Sequence, residues 1–140
     1  MKNLRSVLFV LAVLMLATAA RAQQQAVKAD VPFDFVIGDR AYPAGEYTLK
    51  PALANTGIIR LDNTQESIAR FVPSTKCENS APSKSTKLVF RLMAGRYFLY
   101  QVWTEGSLTG HEFPKGRIET QLAQNHETPE VVIVAAIISR

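Results

Sequence analysis

Val31, Phe33, Phe35 and Ile37 occupy alternate positions, separated by Pro32, Asp34 and Val36. A period of two marks a half-buried β-strand, because successive side chains point to opposite faces. Pro32 has no N–H to give to a ladder, so the strand should begin there or lie on an edge. Gly38-Asp39 follows with turn chemistry. Pro43 fixes its own φ and Gly45 can take a positive one, so Pro43-Ala44-Gly45 reads as a bend. Tyr47 and Leu49 then alternate with Glu46, Thr48 and Lys50 in a second strand.

The same grammar continues. Gly57–Asp62 and Ser67–Val72 flank the turn signal Asn63-Thr64. Residues 73–86 are rich in Ser, Thr, Pro and Asn without apolar period, which predicts a long loop. Lys87 to Trp103 reads as a hairpin around Ala94-Gly95. Ile118, Leu122 and Ala123 recur at helical spacing, predicting one amphipathic helix over 114–125 with Asn125 as its stop. Val131–Ile138 is uncharged and β-branched, and residues 130–138 are expected to form a C-terminal strand buried on both faces. The expected fold is all-β: a single antiparallel β-sandwich or small barrel of about seven or eight strands, with one short helix near the C-terminus.

The N-terminal segment reads as an address. Lys2 and Arg5 precede the uncharged run Val7–Ala20, and Ala20-Arg21-Ala22 has the small-x-small form of a cleavage site. Fourteen apolar residues fall short of the roughly 18–20 that a spanning helix needs. Residues 1–22 are therefore expected to be a secretory signal cut between Ala22 and Gln23, leaving a single β domain over 23–140. No cysteine follows for lipid attachment and no twin-arginine pair precedes the run, which points to general secretion to the periplasm or beyond without stable membrane insertion. Lys2, Arg5 and Arg21 would leave with the signal. Thirteen basic and 12 acidic residues would remain, a net charge of +1, so nucleic acid is not an expected partner.

Cys77 is the only cysteine, so packing rather than an intrachain disulfide must hold the fold. Catalytic patterns are missing from the sequence. Gly106–Gly110 has Leu108 where a nucleophile elbow needs serine. No glycine-rich phosphate loop occurs, and two histidines with one cysteine make a transition-metal site an unfavoured reading. Asp30 and Asp34 would lie about 13 Å apart along a strand, too far for paired glycosidase carboxylates. No catalytic residue, metal or cofactor is expected.

Pro43-Ala44-Gly45-Glu46-Tyr47 resembles the Pro-x-Gly-x-Tyr strand entry of secreted Ig-like and prealbumin-like sandwiches. More broadly, the N-terminal segment, Val31–Tyr47, Arg96–Gly106, Gly110–Ala123 and the apolar tail resemble a family of small exported β proteins of soil bacteria, acidobacteria in particular. That resemblance implies the architecture and carries no activity with it.

The register of the 87–103 hairpin decides what its faces carry. A three-residue bulged loop with Gly95 left-handed would pair Phe90 with Phe98 and Leu88 with Tyr100. Leu88, Phe90, Leu92, Phe98, Tyr100 and Val102 would then form a core face, leaving Arg91, Tyr97, Gln101 and Trp103 opposite it. Those four make a candidate contact face for a protein or glycan, since rings with polar neighbours suit stacking and grip. Two functions follow as expectations: a non-catalytic exported module binding a protein or glycan, or a lipocalin-like barrel carrying an apolar ligand. The oligomeric state is left open.

Overall fold

A computed structural model describes residues 25–53 and 56–139. The expected signal segment and its Ala22-Gln23 cut lie outside the described residues. The described chain is mostly β, 58% strand and 7% helix, in two sheets that do not close into a barrel. The expected sandwich is the architecture observed, built from more and shorter strands than anticipated. In chain order these are β1 (Ala26–Val31), β2 (Phe35–Ile37), β3 (Arg40–Tyr42), β4 (Gly45–Pro51), β5 (Ile58–Asn63), β6 (Ile68–Pro73), β7 (Thr75–Glu78), β8 (Lys87–Met93), β9 (Arg96–Trp103), β10 (Thr109–Glu112), α1 (Arg117–Gln124), β11 (Glu130–Ala135) and β12 (Ile137–Ser139). The first sheet runs β12-β1-β4-β5-β6. The second runs β11-β8-β9-β10-β7, with β2 beside β9 and β3 beside β2. The β2–β9 pair is parallel and the other pairings between strands are antiparallel.

The alternating stretch at 31–37 is not the single strand expected to begin at Pro32: it crosses between the sheets at 32–34. Val31 ends β1 in the first sheet, Phe33 lies on the crossing, and Phe35 and Ile37 belong to β2 in the second. All four sit in or against one core. The Gly38-Asp39 turn returns the chain as β3, and the Pro43-Ala44 bend carries it back to the first sheet as β4. Tyr47 is fully buried there, and its hydroxyl donates to the Pro43 carbonyl at 2.7 Å, closing the bend. Asp34 Oδ1 accepts the Ala44 N–H at 2.8 Å and ties the outward crossing to the returning one.

Three further expectations need correction. Residues 73–86 are not one loop, because Thr75–Glu78 pairs with β10 as β7. The helix begins at Arg117 rather than 114, and its expected apolar face is not the packed one. Ile118 and Ala123 are exposed, whereas Glu119 is buried and paired with Arg91 at 2.8 Å. Its start is set from outside: Asp39 Oδ1 accepts the Arg117 N–H at 2.7 Å, and a Cβ on Gly116 would overlap the Gly38 carbonyl. Asn125 is the C-cap, as expected. The C-terminal strand is not buried on both faces. It breaks at Ala136, whose N–H donates to Thr86, and passes from β8 in the second sheet to β1 in the first. Val131, Ile133 and Ile137 face outward at the sandwich edge.

Between the sheets, Phe35 meets Tyr42, Tyr47 and Phe90 with ring centroids 5.0–5.5 Å apart. Phe33 stacks on Tyr97 at 3.7 Å and meets the edge of Phe90 at 5.0 Å. Phe90 is fully buried at this junction. Phe90→Ala is expected to cost about 3–5 kcal/mol in urea unfolding; a cost under about 1 kcal/mol would contradict this core assignment.

Candidate functional site

The hairpin residues nominated by sequence do not share an open face. Ala94 and Gly95 both take positive φ, 48° and 74°, so the loop is a two-residue turn pairing Met93 with Arg96. That pairs Phe90 with Leu99, one residue away from the expected register. A bulge at Tyr100 then shifts the register again, so Val102 still comes opposite Leu88 on the inner face. The inner set on β9 is Tyr97, Leu99 and Val102, not Phe98, Tyr100 and Val102. Tyr97 consequently packs inward on Phe33.

Arg91, Gln101 and Trp103 do remain on the outer face, but as structure. Trp103 is 5% exposed and lies flat on Gly110, where a Cβ would come within 2.7 Å of the indole. Its N–H donates to Gln101 Oε1 at 3.0 Å, and Gln101 Nε2 donates to Glu112 at 3.1 Å. The Arg91 guanidinium sits 3.5 Å from the centre of the Tyr100 ring and donates to Glu119. This face is a second packed layer, with Val89, Met93 and Phe98 buried alongside. Segregating polar from apolar residues suggested the wrong register because both faces of this sheet are covered.

The nucleophile-bearing groups are poorly set for chemistry. Ser74 Oγ donates to the Gly57 carbonyl at 2.8 Å and lies 3.1 Å from His111 Nδ1. The serine proton is directed at the Gly57 carbonyl rather than at the imidazole, which is not the alignment a general base requires. Burial, and then the charge of Lys76, push the His111 pKa below its ordinary 6.5. The Cys77 thiol is raised above 9.0 by burial and the Glu112 carboxylate, so the weakly nucleophilic thiol dominates at neutral pH. Among the described residues, no group of three or more His, Cys, Asp or Glu could hold a metal.

The arrangement that does present chemistry lies at the opposite edge from β11, between β3 and β6. Each of these strands has one paired side only. Register fixes their side chains. Arg40 pairs with Ile37 and Tyr42 with Phe35, so both share the face of buried core residues. Arg70 pairs with Leu61, Ile68 with Asn63 and Val72 with Ile59, so β6 directs these three inward from the other sheet. The two sheets therefore end at this edge in Arg40, Tyr42 and Arg70. An opening of about 350 Å³ is lined by Arg40, Ala41, Tyr42, Ile68 and Arg70. A second, of about 280 Å³, shares Arg40 and Tyr42 and continues along Phe71, Val72, Pro73 and Pro114.

The electrostatics of this groove are cationic. Arg40 and Arg70 are exposed, and neither guanidinium has a hydrogen bond or ion pair among the described residues. Asp39, the acid lining the second opening, is engaged by the start of α1. Burial raises the Tyr42 phenol above 10.0, and the nearby Arg40 and Arg70 charges pull it partly back. Phe71, on the outer face of β6, is 69% exposed beside these charges. Such a groove can bind an anion and flank it with apolar surface.

Fold and groove together define a two-sheet all-β sandwich with a cationic opening at one edge. Compared with known proteins, the chain matches no family model, no curated protein and no solved structure.

Trp103→Ala is expected to destabilise by about 3–5 kcal/mol, since it removes a buried ring wedged on Gly110. A melting temperature within a few degrees of the parent would contradict the packed-layer assignment and restore this face as a contact surface.

Proposed function

We propose that the protein is an exported, non-catalytic β-sandwich module that binds another protein or a glycan at the cell envelope. The observation supporting this reading is the β3–β6 groove, where two arginines without acidic partners face the gap between the sheets. Unpaired guanidiniums rooted on paired strands are available donors for carboxylate or phosphate oxygens. The mispolarised Ser74–His111 pair and the raised Cys77 thiol support a binding role over a catalytic one. The carrier alternative requires an enclosed apolar cavity. Here Phe35, Tyr47, Leu61 and Phe90 fill the space between the sheets.

Export rests on the N-terminal pattern, and the secreted product is expected to begin at Gln23 on N-terminal sequencing; a membrane-bound product beginning at Met1 would exclude it. Binding is tested by titrating the ¹⁵N-labelled protein with oligoglutamate and with oligogalacturonate, following amide shifts. At least one probe is expected to move resonances of 40–42 and 68–73. Failure of both to perturb these strands would remove the groove as a binding site.

A further inference from the structure

We propose that the groove takes an extended acidic polypeptide segment, added as a strand to the unpaired edge of β6, with its acidic side chains reaching Arg40 and Arg70. This inference rests on the binding-module reading and names the chemistry of its ligand.

Three observations converge on it. The first is the free backbone. β6 is the last strand of its sheet and pairs through Ile68–Pro73 with β5 alone, leaving its other edge as a template for an incoming strand. The second is charge. Arg70 points inward from β6, and Arg40 points inward from β3 on the facing sheet. A residue pairing with Arg70 would share its face and come within about 4.5–5.5 Å at Cβ, close enough for a charge-assisted hydrogen bond. The third is alternation. Phe71 points the opposite way and is 69% exposed, so the residue paired with it meets an aromatic surface. Side chains of an added strand alternate between faces. The ligand these constraints describe is therefore acidic at the inward position opposite Arg70, within reach of Arg40, and apolar at the outward position opposite Phe71. An acidic glycan could satisfy the arginines, but it would leave the backbone edge of β6 unpaired.

The other edges differ in what they offer. Val131, Ile133 and Ile137 make an exposed apolar row at β11 and β12, but no charge or neighbour there specifies what would cover it. The β3–β6 edge carries its own specification.

The test compares four probes on the purified protein by calorimetry and amide shifts. They are the capped peptide Glu-Val-Glu-Val-Glu-Val, the same peptide with alternate backbone nitrogens methylated, Lys-Val-Lys-Val-Lys-Val, and hexagalacturonate. The acidic peptide is expected to bind and shift residues 68–73 and 40–42. Methylation retains the charge and blocks pairing, and should weaken binding at least about tenfold. The lysine peptide should not bind. Arg40→Ala and Arg70→Ala should each weaken the acidic peptide about tenfold, and added salt should weaken it further. Both arginines are exposed, so circular dichroism and melting of the variants should match the parent. If the methylated peptide or hexagalacturonate binds at 40–42 and 68–73 as tightly as the plain peptide, the groove is a binding site and strand addition is refuted. If no anionic probe shifts these strands, the arginines only guard the edge, and the binding reading fails with the inference.

Discussion

Tyr47 is the hinge pin of this sandwich. Its hydroxyl holds the Pro43 carbonyl, and its ring lies edge-on to Phe35 from the facing sheet, with centroids 5.0 Å apart. One side chain thus closes the bend that returns the chain to the first sheet and joins the two layers. The adjoining crossing is fastened by Asp34 to Ala44. Aromatic pairs of this kind contribute about 0.5–1.5 kcal/mol each beyond their buried area, and Tyr47 also meets Tyr42 at 6.4 Å. Burial raises the Tyr47 phenol above its ordinary 10.0, offset in part by the neighbouring Asn63 side chain. Asn63 Nδ2 is buried with no hydrogen-bond partner among the described residues. Asn63 Oδ1 does better, accepting the N–H groups of Gln65 and Glu66 to cap the β5–β6 turn. With one cysteine in the chain, these contacts rather than an intrachain disulfide hold the crossing.

The same crossings determine where the groove can be. Because the chain leaves the first sheet at 32–34 and returns at 43–44, β2 and β3 form a short flap on the second sheet that faces β6 across the edge. The flap is fixed by β9 on one side and by α1 beneath its turn, through Asp39 and the close approach of Gly116 to Gly38. At the other edge the chain itself passes between sheets at Ala136, joining β11 to β12. One edge is thus stitched by backbone and the other is left to side chains. Inward-pointing charge on an edge strand ordinarily deters sheet-to-sheet association. Arg70 and Arg40 meet that need, and because they face each other's layer, the proposed acidic strand would find both charges on one side.

Much of the architecture was legible because it depends on local period and turn chemistry. The Gly38-Asp39 turn, the Pro43 bend, the strands on either side of Asn63 and the Asn125 helix stop all follow from residues a few positions apart, whereas the 31–37 alternation marked core residues without revealing that the chain changes sheets between them. What was not legible depends on partners distant in sequence. The β8–β9 register turned on Ala94 accepting positive φ and on the bulge at Tyr100, neither of which has a local residue signature. The α1 start depends on Asp39, 78 residues away. Even so, the groove left a trace: Ile68, Arg70 and Val72 alternate as a core-facing set with a charge at its centre. That pattern marks an edge strand. Arg40 gave no equivalent sign, since its relation to Arg70 exists only once the two sheets are stacked.

Native-state amide hydrogen exchange tests most directly whether one edge is clamped and the other open. Tyr47, Leu49, Phe90 and Leu99 lie on β4, β8 and β9, interior strands around the aromatic cluster, and their amides should exchange only through global unfolding. The amides of β3 that do not bond β2, and those of β6 that do not bond β5, should exchange many orders of magnitude faster in the isolated protein. Protection of β3 and β6 edge amides equal to that of β4 would show this edge already paired, and would contradict the account.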